Sequence, residues 1–304
     1  MKRGHLVLGI LLLMIIIPFT NAGFWDIFKK SEPQLEPQDV SVTVGNSPPS
    51  VIINYIDSDQ DNSVTLTQAG IVAVEINFNV TDFNGYSDID DSSLAISFDL
   101  DLGGEQRTGA IGDCTSITND GANTKEYICG INMYHYDHDG AWTATVNIDD
   151  QTPEIGQDNH SFIVEQLKAI SLIPLGISFG TVTAGQPNII GEDTEVTNEG
   201  NYAISADLAI TAQNLTGDTT PSEYIPAINF NSADQSEADV CGSGSALIED
   251  NPISIPNFVL SKGTIATPLP NRNVTHCLTL VPTGISDQIY SATTIKTIQW
   301  EFLI

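Results

Sequence analysis

The chain has 304 residues, enough for two ordinary domains that each bury a core of their own. Its 39 acidic residues against 10 basic ones give a net charge of −29 at pH 7, a field that disfavours nucleic acid and anionic lipid as partners. No Cys-x-x-Cys occurs, so neither a zinc ribbon nor a redox dithiol is suggested.

Residues 1–22 read as a secretory signal peptide. Lys2 and Arg3 form its positive start, Leu6 to Phe19 its apolar run, and Thr20-Asn21-Ala22 a small-residue cleavage site. The run falls short of the roughly eighteen residues of a spanning helix, so cleavage before Gly23 is expected, with an uncleaved anchor as the alternative. A pilin-type leader cut after Gly4 is a third reading, which Pro18 disfavours by interrupting the helix it would need. Loss of Lys2 and Arg3 takes the charge from −29 to −31. Membrane association is expected only if the signal stays in place. Residues 23–38, with Phe24, Trp25, Ile27 and Phe28, form an expected flexible leader with an apolar start. No hydrophobic tail or basic stop ends the chain at Trp300 to Ile304, so no C-terminal anchor is expected.

From residue 39 onward the apolar period is two. Val72, Val74, Ile76, Phe78 and Val80 share one face against Glu75, Asn77 and Asn79. Leu94, Ile96, Phe98, Leu100 and Leu102, then Trp142, Ala144, Val146 and Ile148, repeat the pattern. Strands are expected near 50–56, 64–67, 71–81, 94–102, 105–111, 125–134, 141–149 and 161–167, with 39–45 as an extra strand or lead-in. A second series is expected at 169–182, 194–198, 202–212, 224–230, 253–260, 274–281 and 289–304, its last strand facing Ile298, Trp300, Phe302 and Ile304 inward. Short alternating strands without a helical period predict an all-β fold of two consecutive Ig-like β-sandwich domains, 39–168 and 169–304, joined with almost no linker.

Four cysteines in an exported chain predict two disulfides. Proximity in sequence pairs Cys114 with Cys129 and Cys241 with Cys277. The sequons at Asn79, Asn159, Asn214 and Asn273 are glycosylation candidates.

The segments Val80-Thr81-Asp82-Phe83-Asn84-Gly85-Tyr86-Ser87-Asp88-Ile89 and Gly140-Ala141-Trp142 through Asp150 resemble the Ig-like and cadherin-like modules of prokaryotic, particularly archaeal, cell-surface proteins. In the second half, Phe179 to Gly185 and Val196-Thr197-Asn198-Glu199-Gly200-Asn201 resemble camelysin-like fibre proteins. Both likenesses imply scaffolding, adhesion or fibre formation at a cell surface, without a shared reaction. The expected partners are other surface proteins, a second copy meeting it through an edge strand or the leader, and glycans.

An Ig-like strand order brings the loops 82–93 and 150–160 to one pole. That would gather Asp82, Asn84, Asp88, Asp90 and Asp91 with Asp149, Asp150 and Glu154. Crowded carboxylates repel unless a cation or solvent offsets them, so Asp82, Asn84, Asp88, Asp90, Asp149 and Asp150 are the expected Ca2+ ligands, Ca2+ being the one cofactor expected. The plainer alternative is that Asp and Asn cap turns. Residues 57–62 carry the alternating acids of a calcium loop, yet Asn62 and Gln68 stand where an EF-hand needs glycine and an acid. His135, Asp137, His138 and Asp139 read as turn residues more than as a transition-metal site. Serine-hydrolase, zinc-protease and phosphate-loop motifs are absent, so no catalytic residue is expected. A secreted carbohydrate-binding module or a glycoside hydrolase working through two dispersed carboxylates is the alternative function.

Overall fold

The computed structural model describes residues 39–205, 208–292 and 300–304. The expected signal peptide and leader, and Ile298, lie outside the described residues. The chain is all-β, built almost wholly of antiparallel strands. Among the described residues no helix is long and apolar enough to cross a membrane.

The first half supplies β1 (Ser50–Ile56), β2 (Ser63–Val64), β3 (Ile71–Thr81), β4 (Ile89–Leu100), β5 (Gln106–Ala110), β6 (Cys114–Asp120), β7 (Thr124–Tyr134), β8 (Gly140–Asp150) and β9 (Ile155–Val164). They form two sheets, β1-β3-β7-β6 and β2-β9-β8-β4-β5, in which β2 joins β9 in parallel and every other pair is antiparallel. The alternating residues of β3, β4, β7 and β8 turn inward, and Trp142, Tyr127, Phe78, Phe98 and Phe162 are fully buried between the sheets. Burying one such side chain contributes roughly 1.5–3 kcal/mol, so these rings dominate the core. The indole N–H of Trp142 donates to His138 O at 2.8 Å, satisfying its one polar atom.

Several expectations are corrected here. Of the two readings for residues 39–45, the extra strand is not formed, which leaves the lead-in. Strand β4 starts five residues before the expected Leu94, at Ile89, because the polar run Asp90 to Ser93 is absorbed as a bulge: the β4/β8 register shifts between Asp90 and Ala95. It ends at Leu100, so Leu102, expected to face inward, lies exposed in the turn that follows. Strand β9 begins at Ile155, where Gly156 lets Pro49 O approach closer than any Cβ would allow. The strand β6 was not expected, since its polar sequence lacks the alternation; it is held to β7 by the Cys114–Cys129 disulfide. Asn77 turns outward as expected but is covered, accepting from Asn54 Nδ2 at 2.5 Å and donating to Glu126 Oε1 at 2.9 Å.

In the second half the strands are shorter: β10 (Ile170–Ile173), β11 (Pro187–Ile190), β12 (Thr194–Asn198), β13 (Ile204–Ser205), β14 (Ala209–Thr211), β15 (Leu215–Gly217), β16 (Tyr224–Ile225), β17 (Phe230–Asp234), β18 (Ser245–Ala246), β19 (Ile253–Ser254), β20 (Val259–Leu260), β21 (Asn271–Leu280), β22 (Tyr290–Ser291) and β23 (Glu301–Leu303). The main sheet runs β10-β12-β21-β17-β18 with β11 also on β21, and three small sheets pair β13-β20, β19-β14-β23 and β16-β15-β22. Proline and left-handed positions cut the long strands expected here. Pro174 follows β10 directly, Pro226 and a 3-10 turn at Ala227–Asn229 divide 224–230, and Pro256 with Asn257 at φ 59° divides 253–260. A second core forms around Phe230, whose ring lies 5.2 Å from those of Phe179 and Trp300. Trp300, Phe302 and Ile304 pack on it, as expected. The Cys241–Cys277 disulfide ties a single helical turn, Val240–Ser243, to β21.

The chain passes between the two cores at residues 165–169, where the turn Asn198 to Asn201 receives it. Asn201 Oδ1 accepts Leu167 N–H at 2.6 Å and its Nδ2 donates to Glu165 O at 3.0 Å. Gly200 is required at this point, because a Cβ would strike Leu167 O. Further ties join the halves: Ala69 N–H to Glu199 O at 3.0 Å, His135 Nε2 to Pro268 O at 2.9 Å, and Lys262 to both Glu105 and Tyr136 O.

Candidate metal centre

The turn after β3 is fixed by backbone bonds, Asp82 N–H to Asn123 O and Gly85 N–H to Asp82 O, with Gly85 at φ 113°. It brings Asp82 and Asp88 to the end of β8, where Asp150 stands opposite Ile89. One carboxylate oxygen from each of Asp82, Asp88 and Asp150 lies within 4.8 Å of the others. No other group of three such ligands is found among the described residues.

The three carboxylates are differently supported. Asp150 is buried, its Oδ1 accepting from Thr152 N–H, Thr152 Oγ1 and Glu154 N–H, and its Oδ2 from Asn46 Nδ2 at 2.5 Å. Desolvation acts to raise this carboxyl, yet the bonds from Glu154, Asn46 and Thr152 outweigh it and hold it below the usual carboxylate range. Asp88 is pushed upward by desolvation first and then by the charges of Asp82 and Asp150. Asp82 is wholly buried; its Oδ1 accepts Asn84 N–H at 2.7 Å, while its Oδ2 is buried with no hydrogen-bond partner. A buried acceptor left so costs about 1–3 kcal/mol, more if it is charged. Among the described residues no lysine or arginine pairs with any of the three.

The remaining expected ligands do not join them. Asn84 is exposed, and its Oδ1 accepts Ser47 N–H at 3.1 Å. Asp90 caps its own bulge, accepting from Ser92 N–H and Oγ. Asp149 precedes Asp150 on one strand, so its side chain leaves by the opposite face. Asp91 is taken by Lys125 Nζ at 2.8 and 2.9 Å and by the Tyr127 hydroxyl. Glu154 contributes only backbone groups, its N–H donating to Asp150 Oδ1 and its carbonyl accepting Asp150 N–H. Asn46 and Thr152, which fix Asp150, carry no motif that sequence alone could have flagged.

The other candidate clusters disperse. Asp57 and Asp61 each accept from a neighbouring backbone N–H, of Ser58 and Ser63. Asp137 is buried against Arg107, His135 bridges to the second half, and His138 bonds Asp139 O. One serine–histidine pair carries no sequence motif: Ser232 Oγ lies 2.8 Å from Nδ1 of His276, with Thr194 Oγ1 3.0 Å from Nε2. Ser232 and His276 have no solvent exposure, and among the described residues the ring's two nitrogens meet only the hydroxyls of Ser232 and Thr194.

No family model and no curated protein matches the chain. Solved structures give faint likenesses. A DUF4785 family protein from Legionella pneumophila matches at 8% identity and TM-score 0.25 over 83% of this chain and 50% of its own. The secreted serine protease VesC from Vibrio cholerae matches at 10% identity and TM-score 0.21 over 79% and 48%. The C-terminal domain of the Streptococcus agalactiae AgI/II polypeptide BspA matches at 8% identity and TM-score 0.20 over 79% and 93%. The chain thus spans about half the length of the first two. Likenesses this slight carry no functional weight.

Proposed function

We propose that this chain is a non-enzymatic, secreted protein that acts structurally or adhesively at a cell surface. The observation that carries the reading is the seam between the two cores. It is closed by side chain to backbone bonds, from Asn201 to residues 165 and 167, from His135 to Pro268 and from Lys262 to Tyr136. Enzymes of two lobes commonly place an open, polar-lined cleft at such a junction; a spacer needs a joint that holds its angle. Each half also carries a disulfide, which suits an oxidising compartment. Glycans on exposed sequons and contacts with other surface proteins, or with a second copy, fit the same role.

The test is surface labelling of intact source cells with a membrane-impermeant amine reagent, combined with deletion of the chain. The expected result is a labelled protein and a loss of attachment or of surface-layer integrity. A chain recovered unlabelled from intact cells, or a deletion that leaves attachment and surface unchanged, would overturn the reading.

A further inference from the structure

We propose that Asp82, Asp88 and Asp150 hold one divalent cation of the calcium class, and that the bound ion latches the segment Asn46–Ser47 onto the same pole. Three features point to an ion. The carboxylate oxygens lie within 4.8 Å of one another, which is the spread of ligands around a central ion at the 2.3–2.6 Å typical of calcium. Asp82 is wholly buried and its Oδ2 is unpartnered, so the cluster includes a buried carboxylate with an oxygen bonded to nothing else. The donors are all oxygen, with neither thiolate nor imidazole among them, which selects a hard cation over zinc or copper. Asp88 is only half-buried, which leaves the open side for the waters that complete calcium's six to eight ligands.

The latch follows from who else holds these residues. Asn46 Nδ2 donates to Asp150 Oδ2, and Ser47 N–H donates to Asn84 Oδ1, two residues past Asp82. Gln151 N–H donates to Asp88 O, so the turn between β8 and β9 is bonded to the turn before β4. Without a cation the three charges push Asp82, Asp88 and Asp150 apart, and the same displacement loosens the acceptors that Asn46 and Ser47 use. Occupancy of the site and order of the lead-in to β1 are therefore one equilibrium, and an ion that favours the closed arrangement tightens both.

The experiment uses the full chain stripped with chelator, titrated with CaCl2 by calorimetry and followed by hydrogen exchange at the amides of Ser47 and Gln151. Expected are a single site with a dissociation constant of about 10⁻⁴ to 10⁻³ M, the range of extracellular modules, and slower exchange at both amides when it is filled. Asp82→Asn should abolish binding while its own Tm without calcium stays at or above that of the unsubstituted chain, because an amide relieves the repulsion; Asp88→Asn, at the half-buried position, serves as the second binding variant. Asn46→Ala should keep binding and lose the protection of Ser47. Absence of binding up to 10-fold above that range, or unchanged binding in Asp82→Asn and Asp88→Asn, overturns the site. Binding with unaltered exchange at Ser47 overturns the latch and leaves the ion.

Discussion

Ser232 Oγ lies 2.8 Å from Nδ1 of His276, inside a core that admits no water to either residue. Thr194 Oγ1 holds the other ring nitrogen at 3.0 Å, and the rings of Trp300 and Phe302 stand 6.2 and 6.3 Å from the imidazole. Burial pushes the His276 imidazole down to about 4 from an ordinary value of 6.5. The folded chain therefore resists protonating this ring. Its contribution to stability is whole above pH 6.5, declines as pH falls toward about 4 and is constant below that, a loss of about 3 kcal/mol. Denaturant unfolding from pH 7 to pH 4 should show that slope. His276→Gln keeps an amide for the two hydroxyls, and its slope over the same window should be shallower by about one proton.

The disulfides should not be equivalent. Cys114–Cys129 closes a separation of 15 residues and Cys241–Cys277 one of 36. By the chain-entropy relation they restrict the unfolded chain by about 3 and about 4 kcal/mol. Replacing each pair by serine and melting the variants should show the larger loss for Cys241 and Cys277, with both changes exceeding what an exposed substitution gives. Equal effects would mean that the helical turn at Val240–Ser243 stays docked without its bond.

Arg107 and Asp137 form a buried ion pair beneath stacked Tyr134 and Tyr136, with the guanidinium 5.2 Å from the Tyr134 ring centre. Tyr134 N–H also donates to Asp137 at 2.9 Å. Arg107→Met strands a buried carboxylate and should cost about 3–5 kcal/mol. Adding Asp137→Leu removes the stranded charge, so the double variant should unfold at a denaturant midpoint closer to the unsubstituted chain than the single variant does.

What the sequence disclosed follows from what produces its signal. Strands β3 and β8 sit between two neighbours with one face buried, so Val74 to Val80 and Trp142 to Ile148 alternate cleanly and were found almost to the residue. Strand β6 lies at a sheet edge and is fixed by a covalent bond and a hairpin, neither of which leaves an apolar period. The acidic pole was legible because strand order fixes which loop ends meet, and it does bring Asp82, Asp88 and Asp150 together. Which acids face inward was not legible. The choice between Asp149 and Asp150 is a matter of strand parity, and Asp90 left the cluster through a bulge whose place depends on Ser92 and Ser93. The second-half strands are shorter than their apolar content suggests, because Pro174, Pro226 and Pro256 interrupt them and the apolar residues nearby pack between short segments.

The sequons differ in whether the folded chain leaves the acceptor nitrogen available. Asn159 lies exposed on β9, across from Thr145, with its side chain on the outer face of the sheet. Asn214 is engaged at both ends: its Nδ2 donates to Glu249 Oε2 at 2.7 Å and its Oδ1 accepts Ala227 N–H at 2.8 Å. A glycan is attached through Nδ2, so a modified Asn214 would give up the bond that ties it to Glu249, whereas Asn159 has no side-chain bond to give up among the described residues. Expression in a host that glycosylates Asn-x-Ser/Thr, followed by peptide mass spectrometry, should find Asn159 occupied and Asn214 bare. Asn159→Gln should remove the glycan with no change in Tm, while occupancy at Asn214 in folded protein would mean that its bonds to Glu249 and Ala227 form only after modification or not at all.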